Sequence, residues 1–258
     1  MIAQVPVLGV IPARMGSTRF PGKPLALIKG QPMIWHVWKR CTLSASLDTV
    51  VIATCDRAIQ EAAEGFGARV VMTSERHTRA NDRVAEAAAN LPGEIVVNIQ
   101  GDEPLVHPQL IHDVVSHFEG RPEVLCVNPI APVIEEADVE SPHTVKVVCD
   151  NAGRVLYFSR CPIPSDGTQK RSEPVYRQVP ILGFRRQFLF NISALPETPL
   201  ECQESVDLLR PLEHGFPVHA FHTAHQTVGV DVPGDIARAE LALDHDPIYQ
   251  TYASQATC

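Results

Sequence analysis

Three stretches of this 258-residue chain bring together side chains able to act on a charged substrate. The first, Ile11-Pro12-Ala13-Arg14-Met15-Gly16-Ser17-Thr18-Arg19-Phe20-Pro21-Gly22-Lys23, sets Arg14, Arg19 and Lys23 around Gly16, Gly22 and the hydroxyls of Ser17 and Thr18. Glycine lets a backbone approach an anion and turn its amides inward, while guanidinium and ammonium groups neutralise phosphate charge. The spacing matches neither the Gly-x-Gly-x-x-Gly fingerprint nor a Walker A loop. Alone, the stretch reads as a phosphate cradle or as a solvated basic turn. Its place directly after an apolar strand favours the cradle.

The second stretch, Asn98-Ile99-Gln100-Gly101-Asp102-Glu103-Pro104, ends another apolar run. Mg²⁺ is held by one or two carboxylates plus substrate phosphates, which makes Asp102 a candidate ligand; the alternative is an ordinary acidic turn. Strand alternation turns Glu103 away from Asp102. The third stretch, Thr227-Val228-Gly229-Val230-Asp231-Val232-Pro233-Gly234-Asp235, runs into a helix start. Asp231 there is either the helix cap or a second metal carboxylate, and Asp235, in the first turn, complements the helix dipole.

The elements that must position these residues alternate along the chain. Strands are expected at 5–12, 49–54, 68–72 and 94–100, where apolar residues run without interruption. Helices are expected at 32–43, 58–66 and 82–89 from apolar residues at helical spacing, with Pro32 opening the first and Gly67 closing the second. This alternation implies an α/β fold, a mostly parallel sheet with helices on both faces. Ligands of such sheets sit beyond the carboxyl ends of the strands, where the first two stretches fall.

The second half is less regular. Strands are expected at 124–134, 144–150, 154–158, 181–186 and 218–222, with a hairpin turn at Asn151-Ala152-Gly153 and a polar loop at 162–172. Helices are expected at 187–194, 204–212 and 233–243. Nothing resembles a linker, so residues 1–258 read as a single domain. Its core spans about 5–123 and 175–245, with an inserted antiparallel section at about 124–174.

Composition narrows the function. Hydrophobic residues make up 45% and charged residues 20%, as in ordinary soluble domains, and the apolar runs are too short to span a bilayer. A net charge of −8 argues against a nucleic-acid partner. No secretory signal is evident, and seven scattered cysteines without a Cys-x-x-Cys pair read as reduced thiols. A cytoplasmic protein that engages neither membrane nor nucleic acid is the expectation.

Together these blocks, with Val145-Lys146-Val147-Val148 and Tyr157-Phe158-Ser159-Arg160, resemble the 3-deoxy-manno-octulosonate (Kdo) cytidylyltransferase family from about Val7 to the helix after Pro233. The resemblance implies a three-layer αβα, Rossmann-like fold of the nucleotide-diphospho-sugar transferase type, with an antiparallel dimerisation section and a homodimer. It implies transfer of CMP from CTP to an acidic sugar with release of pyrophosphate, and Mg²⁺ as cofactor. Arg14, Lys23, Asp102 and Asp231 would be catalytic, with Asp102 and Asp231 holding the metal. Ala13, Arg14, Ser17, Arg19, Lys23, His77, Arg79, Ala80, Asn81, Arg83 and Gln100 would bind the nucleotide. Gln100, Arg160, Gln178, Leu182, Glu204 and Asp207 would bind the acceptor. No covalent nucleophile is needed, since in-line positioning and charge neutralisation suffice.

Departures from the family pattern bear on the substrate. A Ser-Gly-Thr stretch after the His becomes Arg79-Ala80-Asn81, which removes a glycine's close approach and adds a cation. A His and a Tyr of the sugar site become Gln178 and Leu182, and a Gln becomes Leu208. A site built to hydrogen-bond hydroxyls does not accept such exchanges freely, so an altered acceptor is expected: a modified or shorter acidic sugar, or a small phosphonate. Two other readings stand beside it, a related nucleotidyltransferase using another base and a non-catalytic nucleotide-binding paralogue.

Other residues read as structural: His219, His222 and His225 as surface or core histidines, Trp35 and Trp38 as helix packing, and Glu135-Glu136-Ala137-Asp138 as a solvated face. Arg185-Arg186 reads either as a solvated pair or as a reach for the acid's carboxylate.

Overall fold

The computed structural model describes residues 5–165, 173–225 and 227–254. Part of the expected polar loop, 166–172, and Cys258 lie outside them. Four parallel strands form one half of the sheet: β1 (Val7–Ala13), β4 (Thr49–Thr54), β5 (Arg69–Met72) and β6 (Ile95–Ile99), in the order β5-β4-β1-β6. The short strands β2 (Leu27–Ile28) and β3 (Gln31–Pro32) make a separate hairpin. β1 and β6 are buried at every residue, which is why they read as continuous apolar runs rather than alternations.

Helices cover both faces. On one lie α1 (Met33–Thr42), α2 (Arg57–Gly65) and α4 (Pro108–Ser116), whose Ile34, Val37, Ile59, Leu110 and Val114 join Ile11, Val97 and Ile99 in one core. On the other lie α3 (Ala80–Ala88), α6 (Arg186–Ser193) and α8 (Leu209–Glu213), whose Val84, Phe188, Leu189 and Leu209 join Leu8, Val10 and Val96. This is the expected three-layer arrangement. A third cluster of Ile28, Met33, Val230, Ala239 and Leu243 seats α9 (Asp235–Asp244). Beyond it α10 (Pro247–Tyr252), which the apolar pattern did not announce, is tied to α1 by Arg40, buried against Asp246 and the Tyr252 hydroxyl.

The second half continues the sheet in mixed directions. β11 (Ile181–Arg185) runs antiparallel between β6 and β7 (Cys126–Pro132). β7 then meets β10 (Tyr176–Gln178), followed by the hairpin β8 (Lys146–Cys149) and β9 (Val155–Ser159). The other edge of β7 takes β12 (His219–His222) in parallel, and an isolated Arg154–His219 bridge links β12 to the start of β9. The antiparallel section therefore extends past the expected boundary at 174, through β10 and β11. β7 is covered on both edges and buried up to Pro132, so the run 125–134 leaves only Ile134 strongly exposed.

Three local readings change. The expected helix 204–212 forms only as α8, from Leu209; Glu204 instead ends a separate helix, α7 (Pro199–Glu204), after which Ser205 adopts a left-handed backbone with φ 52°. The acidic run at 135–138 leads into the short helix α5 (Glu136–Glu140). Arg185 and Arg186 reach no cleft. Their guanidiniums donate to the carbonyls of Phe118, Arg121 and Val124 and of Ala88, Ala89, Leu91 and Gly93, closing the ends of neighbouring helices.

Candidate active site

Because β1, β4, β5 and β6 are parallel, their carboxyl ends share one edge of the sheet. The loop after β1 leaves from Ala13 and is pinned to the end of β4 by the Met15 amide, which donates to Asp56 Oδ2 at 2.8 Å. It then folds on itself. Ser17 and Gly22 amides donate to the Met15 carbonyl, and Gly22 takes φ 74°, a conformation that favours glycine. Gly101 lets the end of β6 approach the end of β1, since a Cβ there would stand 2.9 Å from the Pro12 carbonyl oxygen.

These elements enclose a cleft of about 470 Å³. Of the residues expected to bind nucleotide, Ala13, Arg14, Ser17, Arg19, Lys23, His77, Arg79, Ala80, Arg83 and Gln100 all line it. Asn81 does not. It is buried, accepts from Asn98 Nδ2 at 2.8 Å, and its amide donates to Asp207. Thr18 lines it beside Ser17, and so do Pro24, Thr78 and Ser205, which residue type alone did not single out.

The charges form a chain. Lys23 Nζ stands 2.5 Å from Asp102 Oδ2 and 3.6 Å from Asp231 Oδ1, and Arg19 Nη2 reaches the same Asp231 oxygen at 2.8 Å. Arg14 is exposed and, among the described residues, carries no ion pair, so its guanidinium is available to a ligand. Asp231 does not cap α9. Asp235 instead accepts from the Asp231 and Val232 amides, the position in which a carboxylate complements the helix dipole.

The loops bearing the two aspartates run side by side. The Val230 amide donates to the Asp102 carbonyl at 3.0 Å, and His107 stacks on His225 with centroids 4.1 Å apart. Glu103 faces away from the cleft, as alternation required, and lies buried against Gly229. Burial, reinforced by Asp102, pushes its carboxyl up to about 8.

The donor set fits a divalent cation. Asp102 and Asp231 already converge on one ammonium, and among the described residues no three or more His, Cys, Asp or Glu side chains gather into a cage. Two carboxylates leave coordination positions for water and phosphate oxygens, as Mg²⁺ prefers.

The acceptor set is only partly assembled. Gln100 and Asp207 line the cleft. Burial raises the Asp207 carboxyl above its usual range. Glu204 lies just outside and is saturated by Ser159 Oγ at 3.0 Å, the Arg160 amide at 2.8 Å and Tyr157 Oη at 3.3 Å. Arg160 donates to the carbonyls of Glu204, Pro142 and Ser205, so it braces the wall rather than lining it. Gln178 is half-buried away from the cleft. Leu182 is 5% exposed in the core, opposite Asn98 across the β11–β6 pair, and Leu208 is fully buried. Two of the three exchanges that suggested an altered acceptor, Leu182 and Leu208, therefore fall at packing positions, and the third, Gln178, does not line the cleft. Arg79, read as a nucleotide cation, is largely committed to Glu197 (2.8 Å), Ser205 Oγ (3.2 Å) and the Glu201 carbonyl (3.4 Å).

Comparison with known proteins agrees with this geometry. The sequence profile of the Cytidylyltransferase family matches residues 8–221. A 3-deoxy-manno-octulosonate cytidylyltransferase of Solibacter usitatus is 44% identical over 232 residues, 90% of this chain and 92% of that protein. An 8-amino-3,8-dideoxy-manno-octulosonate cytidylyltransferase of Shewanella sp. (strain ANA-3) is 40% identical over 241 residues, 92% and 98% of the two chains. The solved structure of a CMP:2-keto-3-deoxy-manno-octonic acid synthetase complexed with CTP superposes with a TM-score of 0.86 at 34% identity, covering 93% of this chain and 99% of the other. With the αβα sheet, the basic loop after β1 and the two facing carboxylates all in place, this chain belongs to the 3-deoxy-manno-octulosonate cytidylyltransferase family.

Proposed function

We propose that this protein catalyses the Mg²⁺-dependent reaction of CTP with Kdo or a Kdo modified away from its reacting end, giving the CMP-sugar and pyrophosphate. The observation that carries the reading is the convergence of Arg14, Arg19, Lys23 and Asp102 on one cleft, with Asp231 held at its rim by Arg19 and Lys23. The names of relatives 38–44% identical supply the nucleotide and the class of acid.

The chemistry follows from this placement. The sugar's anomeric hydroxyl oxygen attacks the α-phosphorus in line with the bridging oxygen to the β-phosphate. That P–O bond breaks, pyrophosphate leaves with the bonding electrons, and the hydroxyl proton passes to solvent. Arg14, Arg19 and Lys23 neutralise the triphosphate and the charge that grows on the leaving group. Asp102 and Asp231 would hold Mg²⁺, which supplies further neutralisation at the phosphoryl oxygens. No side chain of this protein need form a bond to phosphorus.

The test is pyrophosphate release from the four nucleoside triphosphates crossed with Kdo, 8-amino-Kdo and sialic acid, in Mg²⁺ and in excess chelator. Release confined to CTP with Kdo or 8-amino-Kdo, and abolished by chelator, supports the reading. Silence with CTP and both Kdo acids in Mg²⁺ overturns it. We further infer a cytoplasmic homodimer. The six cysteines among the described residues are all free, as suits a reducing compartment, and Ile134 and Leu156 stand exposed on the antiparallel section. Light scattering at the monomer mass would refute the dimer.

A further inference from the structure

The outermost link in the charge chain is an imidazole. His143, in the turn between α5 and β8, brings Nδ1 to 2.8 Å from Arg19 Nη1, while Arg19 Nη2 holds Asp231 at 2.8 Å. A guanidinium only donates, so Nδ1 must be the accepting nitrogen and the ring proton sits on Nε2. Two of the five guanidinium N–H groups are then committed, leaving three for an anion in the cleft that Arg19 lines.

The turn that carries His143 is itself held from both sides. Lys146, fully buried, donates through Nζ to the carbonyls of Ser141 and Thr144 at 2.8 Å, and Arg160 Nη1 donates to that of Pro142 at 2.8 Å. The Ser141 hydroxyl accepts from the His143 amide at 3.3 Å. These bonds fix the backbone from which the imidazole reaches Arg19. Arg19, long and 44% exposed, would otherwise sample several rotamers, and a ligand would have to order it on binding.

Given the cytidylyltransferase reading, we propose that His143 is a positioning residue: its Nδ1 fixes the Arg19 guanidinium in place for the triphosphate of the nucleotide. His143 does not line the cleft and acts through Arg19.

Steady-state kinetics and calorimetric CTP binding on the full chain, in Mg²⁺, test this. His143→Ala raises KM for CTP about three- to tenfold with kcat held within about twofold, because Arg19 orders the ground state as well as the transition state. His143→Asn, whose amide oxygen stands close to where Nδ1 stood, recovers most of that loss. In an Arg19→Ala background, His143→Ala adds nothing further, as expected when one residue acts through the other. Equal KM values for His143→Ala and wild type, equal impairment of the Ala and Asn variants, or an undiminished effect without Arg19 would each overturn the proposal. Wild type that turns over while His143→Ala matches it defeats this inference alone. Wild type that binds no CTP defeats the functional reading with it.

Discussion

Arg210→Met gives the most demanding test of how the cleft wall is built. The Arg210 guanidinium grips Glu201 with Nε and Nη2, each 2.8 Å from a carboxylate oxygen, and Asp82 with Nη1 at 2.9 Å. Glu201 is 0% exposed and also completes a capping box with Thr198 at the start of α7. Among the described residues its only other cation is Arg79, at 3.7 Å. Removing one partner of a buried pair leaves an uncompensated charge, at a cost of about 3–5 kcal/mol. For a chain of this size that lowers Tm by roughly 6–20 °C. The assay is thermal unfolding with urea denaturation, on Arg210→Met and on the double variant with Glu201→Gln. Removing the stranded charge should restore at least about half of the loss. A loss below about 1 kcal/mol, or a double variant no more stable than the single one, would refute the reasoning. Because Asp82 sits in the first turn of α3, whose Ala80 and Arg83 line the cleft, the single variant also raises KM for CTP.

Other expectations follow from the same geometry. Lys23→Ala lowers kcat/KM for CTP about 10²–10³-fold, since it removes the ammonium between two carboxylates; a fall under tenfold in pyrophosphate release would contradict that. Asp102→Asn and Asp231→Asn each raise the Mg²⁺ concentration needed for half-maximal rate, and a variant with the wild-type requirement would remove that residue from the metal site. Gly101→Ala destabilises by about 1–3 kcal/mol, because its Cβ would meet the Pro12 carbonyl at 2.9 Å and Ile34 Cδ1 at 3.2 Å. Folding raises the Glu103 carboxyl from 4.5 to about 8, so the native chain keeps a proton that the unfolded chain has lost. Its contribution is fully present below 4.5 and is lost as pH rises towards 8. In chelator, Glu103→Gln therefore gains on wild type over that window, by at most about 4–5 kcal/mol, and parallel pH profiles would rule this out.

Most of the scaffold was legible because strands buried on both faces need no alternation, and Val7–Ala13 and Ile95–Ile99 are of that kind. What escaped depends on single conformations or distant partners. The helix expected from Glu204 begins only at Leu209, because Glu204 ends α7 and Ser205 turns the chain out of it with a left-handed backbone, a choice its neighbours in sequence do not announce. The site was legible as residue types. Cations between glycines and carboxylates at strand ends are visible one stretch at a time. Their pairing is not, since Arg19 meets Asp231 across 212 residues and Lys23 meets Asp102 across 79. Leu182 misled because sequence position cannot tell a cleft-facing side chain from one packed opposite Asn98 in the sheet. His143 gave no signal at all, since its meaning lies entirely in Arg19.

The late arrival of β12 and Asp231 has a consequence for synthesis. A nascent chain that has emerged only as far as β11 already carries Arg14, Lys23 and Asp102, yet has neither the second carboxylate nor the strand that covers the outer edge of β7. Until His219–His222 dock, β7 presents unpaired backbone amides and carbonyls along a buried apolar strand, the feature that invites pairing with another chain. Edge closure and completion of the carboxylate pair thus come from the same stretch, 219–231. Before residue 231 emerges the chain therefore lacks one of the two carboxylates and, before 219–222 dock, leaves the outer edge of β7 open to pairing with another chain.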